Sequence, residues 1–189
     1  MRKIISVVGD AWIDENSDKY RMAFEMGKAL VDAGYRVASG GLGGVMQAAF
    51  RGAHASEKYR EGDTIAILPQ FDERLANECA DIVIATGLDL FRNVIVGNSE
   101  AVIVVGGGAG TLCEVSSAWA QLRMIVSFKN VEGTSKKVAD TCIDHRKRYP
   151  FDDRCYGVES AEEAIALLTE RLPLYTRRYE GIKAVERNG

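Results

Sequence analysis

Histidine is scarce in this chain, and cysteine occurs only singly. There are two histidines, His54 and His145, and four cysteines, Cys79, Cys113, Cys142 and Cys155, among 189 residues. No CxxC occurs, so no metal-ligand cluster can be read from the spacing. Scattered thiols of this kind fit a reduced, cytoplasmic protein. Excess positive charge is missing too: 24 Lys+Arg stand against 27 Asp+Glu. A broad nucleic-acid surface would need a basic patch, so no nucleic-acid partner is expected. No apolar run approaches the ~20 residues that span a bilayer, so no membrane association is expected either. The opening "MRKIISVVGD" could pass for a leader. Its apolar run stops at Gly9-Asp10, so it reads as a first strand.

What is present is an alternation. Short β-branched runs at 3–9, 35–41, 64–69, 81–87, 101–107, 124–128 and 154–158 read as strands. Helix-patterned segments follow at 17–34, 44–59, 90–100, 111–122, 134–148 and 160–172. Ser17 or Asp18 can cap the first helix, and Ser160 with Glu163 has capping-box spacing in the last. Strands that are almost wholly apolar, alternating with helices, specify a parallel sheet covered on both faces. The expected fold is α/β: a single-domain Rossmann-like doubly wound sheet over residues 1–172. It has about seven mostly parallel strands. Residues 173–189 read as a polar, solvated tail. Trp119 and Leu122 on the 111–122 helix offer either a dimer face or ordinary core packing.

Several strand ends run into glycine: "VGD" (8–10), "SGGLGG" (39–44) and "GGGAGT" (106–111). The loop "ATGLDLFRN" (85–93) brings Thr86 and Arg92 to the same edge. In an open α/β sheet, ligands bind beyond the carboxyl ends of the strands. A glycine loop that opens into a helix offers free N–H groups and the positive end of the dipole, which suits phosphate. A dinucleotide fingerprint from Gly106 would need glycine at 111, where Thr111 stands. A P-loop would need Lys-Ser/Thr after Gly110, where Thr-Leu follows. Glu114 has two possible uses. It can close a capping box with Thr111, or it can serve as a reacting carboxylate.

The order "SGGLGGVMQAAFRGA" (39–53), "FRN" (91–93) and "VGGGAGTLCE" (105–114) resembles the Lonely Guy family, long labelled "lysine decarboxylase". Its members are cytokinin-activating phosphoribohydrolases with the hallmark PGGxGTxxE and an essential arginine. The hallmark falls on Gly106 to Glu114, and the arginine on Arg92. The departures are Gly106 for the family's proline, and Leu90 and Asn93 for its histidine and lysine. In these the chain looks closer to a neighbouring branch that includes molybdenum-cofactor carrier proteins. DNA-processing protein A has a related Rossmann-like domain.

The resemblance implies a small phosphorylated ligand, an AMP-like nucleotide or a pterin cofactor. It also implies a homodimer or higher homo-oligomer. Gly107, Gly108, Ala109, Gly110 and Thr111 would hold the phosphate. Gly9, Asp10, Ser39, Gly40, Gly41, Gly43 and Thr86 would line the site. Arg92 and Glu114 would carry the chemistry: hydrolysis of the N-glycosidic bond of a nucleoside 5′-monophosphate to free base and ribose 5-phosphate. The alternative is a non-catalytic nucleotide- or molybdenum-cofactor-binding carrier. No cofactor is required for either. Pyridoxal phosphate is not expected, because none of the glycine loops holds a lysine for a Schiff base.

Overall fold

The computed structural model describes residues 2–181. Its centre is one sheet of seven strands: β1 (Ile4–Gly9), β2 (Arg36–Ser39), β3 (Thr64–Leu68), β4 (Ile82–Ala85), β5 (Ala101–Val105), β6 (Met124–Phe128) and β7 (Cys155–Val158). The order is β4-β3-β2-β1-β5-β6-β7, and every neighbouring pair is parallel. In β5 and β6 every residue is buried, as a strand sandwiched between helix layers must be.

The helices are α1 (Asp18–Asp32), α2 (Val45–His54), α3 (Asn93–Val96), α4 (Ala109–Ala120), α5 (Thr134–Val138) and α6 (Ala161–Arg171). Helices α1, α2 and α6 bury Leu30, Phe50 and Leu168 against Ile5, Val7 and Ile103 on one face. Helices α3, α4 and α5 bury Val96, Trp119 and Val138 against Val8, Val104 and Ile125 on the other. Glycine permits the tightest contact in the first layer. A Cβ on Gly27 would lie 1.9 Å from Ala49 O, and one on Gly52 would lie 1.9 Å from Phe24 O. The backbones of α1 and α2 therefore touch.

The structure shortens some expected elements. The 90–100 segment is a 3-10 turn, Asp89–Arg92, followed by the four residues of α3. The 134–148 segment is helical only over Thr134–Val138. There Asp140 turns the chain with φ +58, and its carboxylate accepts from Gly157 N. The chain then returns to bury Arg148, which pairs with Asp153 at 2.7 Å and lies 3.5 Å above the Trp119 ring. Trp119 is 1% exposed, and its Nε1 donates to Asp144. It is core, not a dimer face. The segment after α6 packs rather than floats: Tyr175 is buried with its hydroxyl on Asp153, and Arg178 pairs with Glu100. The end of the expected tail, residues 182–189, lies outside the described residues.

One part of the sheet lacks a second helix layer. Ile82 and Ile84 of β4 are 41% and 46% exposed, beside exposed Val94 and Ile95. Among the described residues no helix is long and apolar enough to cross a membrane.

Candidate functional site

The sheet changes direction between β1 and β5: successive strands are added on one side up to β4, and β5 returns to the other edge of β1. Loops leaving β1 and β5 therefore part, and a cleft opens between them. It holds about 330 Å³. Gly9 and Asp10 come from the end of β1, and Leu42, Met46 and Pro69 give one wall an apolar surface. Asp89, Leu90, Arg92 and Asn93 come from the turn into α3, and Gly108, Gly110, Thr111 and Glu114 from the start of α4.

The glycine loop is braced from behind. Ser135 N donates to Gly106 O at 2.9 Å, Thr134 N to Gly107 O at 2.7 Å, and Thr134 Oγ1 to Gly108 O at 2.9 Å. The carbonyls of the loop are thus fixed by the start of α5. Gly106 has φ +65 and donates its N–H to Ser135 Oγ at 2.9 Å. Proline is locked near φ −65° and has no N–H, so it fits neither condition. A Cβ at Gly106 would also lie 2.4 Å from Asp10 Oδ2. The departure from the hallmark proline therefore has a local cause.

Helix α4 begins at Ala109 behind Gly108. Leu112 N reaches Gly108 O at 3.0 Å. The N–H groups of Ala109, Gly110 and Thr111 precede that bond and have no intrahelical acceptor. They point out of the positive end of the helix. A Cβ on Gly108 would meet nothing within 4 Å, and on Gly110 only Asn93 Nδ2 at 4.0 Å. Backbone is bare here.

Thr111 is the third residue of α4, not its cap, and its hydroxyl donates to Gly9 O at 3.2 Å. A capping box with Glu114 is therefore not formed. Glu114, one turn on, is 6% exposed, and its Oε1 lies 3.6 Å from Arg92 Nη1. Burial pushes the Glu114 carboxyl up to about 7, with Arg92 pulling the other way. Burial also lowers the Arg92 pKa, against the pull of Glu114. Arg92 is 8% exposed, and its Nη1 has no hydrogen-bond partner.

The remaining expected residues fall at different distances from this centre. Asp10 Oδ2 accepts from Gly107 N and from Lys19 Nζ, both at 2.8 Å, so the Gly107 N–H is already engaged. Gly40 underlies Arg92: a Cβ there would lie 2.1 Å from Nη1. Ser39 is fully buried and accepts from Gly41 N, which tightens the turn. Gly41 packs against Ala66 and Gly43 near Ala11 O, and neither glycine lines the cleft. Thr86 donates to Leu68 O and accepts from Leu88 N, closing its own turn. Ala109 is exposed beside Gly108.

Sequence reasoning missed Lys19, Asp89 and the apolar wall. Asp89 is a non-glycine residue at φ +49 on the cleft rim, an unusual conformation that no spacing rule announces. Lys19 looks like an ordinary surface lysine of α1 until the loop is folded over it. Among the described residues, no group of three His, Cys, Asp or Glu could hold a metal ion. A second groove of about 680 Å³ lies on the uncovered sheet face, floored by Ile65, Ile67, Ile82, Ile84 and Ile95.

The model of the SLOG cluster4 family matches residues 2–154. An uncharacterized protein of Archaeoglobus fulgidus is 41% identical over 148 residues, covering 74% of this chain and 93% of the relative. The molybdenum cofactor carrier protein of Chlamydomonas reinhardtii has a similar structure, with TM-score 0.73 and 28% identity, covering 92% of this chain and 99% of that one. The molybdenum cofactor binding protein of Rippkaea orientalis gives TM-score 0.69 and 26% identity, covering 89% and 96%.

Proposed function

The chain belongs to the SLOG cluster4 family, and from that premise we propose that its cleft captures a small phosphorylated cofactor of the pterin class and carries it unchanged. The observation that carries this reading is the buried Nη1 of Arg92, which has no hydrogen-bond partner. A guanidinium nitrogen withdrawn from water and left unbonded is costly, and an anionic oxygen would satisfy it. The free N–H groups at the start of α4 line the same cleft, so one phosphate can use both. Leu42, Met46, Pro69 and Leu90 give a flat ring an apolar wall. The likeness to two molybdenum-cofactor proteins supports the same ligand class.

A second reading rests on Glu114. A carboxyl held near 7 beside Arg92 suits acid–base work at neutral pH. In that reading a nucleoside 5′-monophosphate binds through its phosphate. Glu114 then activates water against the anomeric carbon as the N-glycosidic bond breaks. Asn93 stands where the resembling hydrolases have lysine, and its Nδ2 donates to Gly110 O at 3.4 Å, bracing α4 instead. That use favours the carrier.

The test is one incubation with two readouts. The protein is mixed with phosphorylated pterins and with a panel of nucleoside monophosphates, and melting temperature and free base are measured. A carrier is stabilised by a pterin phosphate and releases no base from any nucleotide. Base release by wild type, abolished in Glu114→Gln, establishes the hydrolase instead. No stabilisation by either class overturns both readings.

The proposal extends to a second copy of the chain on the uncovered face of β3 and β4, because a parallel sheet is seldom left bare. Ile84→Lys should then shift a dimeric light-scattering mass to the monomer value. A cytoplasmic setting is part of the proposal, supported by four free cysteines.

A further inference from the structure

Asp10 and Lys19 form a unit that the phosphate site does not need. One oxygen of Asp10, Oδ2, is bonded to the Gly107 N–H and to Lys19 Nζ, each at 2.8 Å. These two donors approach from different elements, the glycine loop and helix α1, so the carboxylate plane is pinned. Asp10 also lines the cleft, with 27% of its side chain exposed. Gly106 belongs to the same unit, since a Cβ there would lie 2.4 Å from Oδ2 and 2.9 Å from Lys19 Cε. The glycine that replaces the hallmark proline thus leaves room for this ion pair.

A carboxylate on a cleft wall cannot attract phosphate. An ionised carboxylate is an acceptor only, and it repels another anion. It must therefore meet a different part of the ligand, one that offers O–H or N–H. Resting on the reading of the cleft as a phosphorylated-ligand site, we propose that Asp10 accepts a hydrogen bond from the uncharged part of the ligand, and that Lys19 is the positioning residue that aims it. The donor is either a sugar hydroxyl or an amine N–H on the ring, which share this chemistry. With Oδ2 engaged twice, Oδ1 is left as the acceptor on the wall of the same cleft as the start of α4. The spacing between phosphate and donor then becomes a selection rule. A hydrogen bond to a charged group contributes roughly tenfold or more in affinity.

The test measures affinities of wild type, Asp10→Asn, Lys19→Met and Lys19→Arg by titration calorimetry. The probes are inorganic phosphate, 5′-AMP against its 2′,3′-dideoxy form, and a phosphorylated pterin against its 2-deamino counterpart. In wild type, removing the donor from whichever ligand binds should cost roughly tenfold. In Asp10→Asn and Lys19→Met that difference should collapse, each ligand's affinity being taken relative to the same variant's affinity for inorganic phosphate. Lys19→Arg should restore the difference. The AMP pair moving identifies a sugar hydroxyl, and the pterin pair moving identifies the exocyclic amine. Should both variants weaken inorganic phosphate as much as the larger ligands, Asp10 only shapes the loop and the inference falls. A difference that survives in both variants would also overturn it. Both leave the phosphate-site reading standing. Failure of wild type to bind any of the probes sinks that reading and the inference together. Should Asp10→Asn fail to fold, Lys19→Met makes the same comparison.

Discussion

The two glycine-rich loops, 39–44 and 106–111, look alike as sequence, each leaving a strand and entering a helix. In the structure their glycines face opposite things. In the first loop the missing side chains make room for other parts of the protein. A Cβ on Gly40 would strike Arg92, on Gly41 Ala66, and on Gly44 the carbonyl of Asp10. In the second loop, Gly108 faces open space and Gly110 has a single neighbour at 4.0 Å. The first loop is filled by packing; the second is packed at Gly106 and Gly107 and open to the cleft at Gly108 and Gly110. A glycine therefore marks a place where something comes close, and only the fold says whether that is the protein itself or a ligand.

The contrast can be broken most strongly at Gly44. It has φ +63, and a Cβ would lie 2.2 Å from Asp10 O, a backbone atom that cannot step aside. Gly44→Ala should cost about 3 kcal/mol or more in urea unfolding, through strain and displacement of the β1 loop. A loss under about 1 kcal/mol would show that the loop is not packed as described.

The next effect belongs to Glu114, in the helix behind the open loop. Its folded pKa of about 7 lies above its ordinary value of 4.5. The folded protein thus holds a proton more tightly than the unfolded chain. The associated stability is complete below the ordinary value and is lost as pH rises through about 7. Wild type should lose on the order of 3 kcal/mol between pH 4.5 and pH 8 from this group, before any ligand is added. Glu114→Gln should remove that slope and be the more stable protein at pH 8. Equal slopes in chemical denaturation would place the Glu114 proton elsewhere.

A smaller effect is expected at Gly40. The clash there, 2.1 Å and 2.5 Å, is with the tip of a side chain, Arg92 Nη1 and Nη2, which can move. Gly40→Ala should cost about 1–2 kcal/mol of stability. It should nevertheless abolish melting-point shifts by phosphorylated ligands, because Arg92 is driven off its place beside Glu114. Retained ligand stabilisation in a folded Gly40→Ala protein would remove Arg92 from the binding site.

Much of the architecture was legible because parallel strands buried on both faces read as apolar runs, and "AVIVV" and "MIVSF" can be little else. The edge carrying the site followed from where the glycines fell. The elements that were misread are those where one buried contact overrides local preference. Arg148 must reach Trp119, so the helix begun at Thr134 ends at Val138. Trp119 could be read as a dimer face or as core because nothing in its spacing reveals the loop that covers it. Lys19 and Asp89 were invisible for another reason. Lys19 acts across a loop nearly ninety positions away, and Asp89 through a backbone angle, and neither leaves a period or a motif. The two uses of Glu114 were separable only by knowing that α4 starts at Ala109, which puts Thr111 too far inside to cap it.

The least disruptive substitution is the most informative about the open loop. Gly108 has φ −112, outside the left-handed region, and a Cβ there would touch nothing within 4 Å. Alanine is a poorer helix cap than glycine, so Gly108→Ala should cost about 1 kcal/mol or less. The added methyl would stand beside the free N–H groups of Ala109, Gly110 and Thr111, where a phosphate oxygen must come to hydrogen-bond distance. Affinity for a phosphorylated ligand should fall about tenfold or more, equivalent to about 1.4 kcal/mol. At Gly40, stability and binding should fall together; at Gly108 they should separate. Binding that survives Gly108→Ala unchanged would mean that the phosphate does not use the start of α4. Arg92 would then be the principal anion-binding group of the cleft.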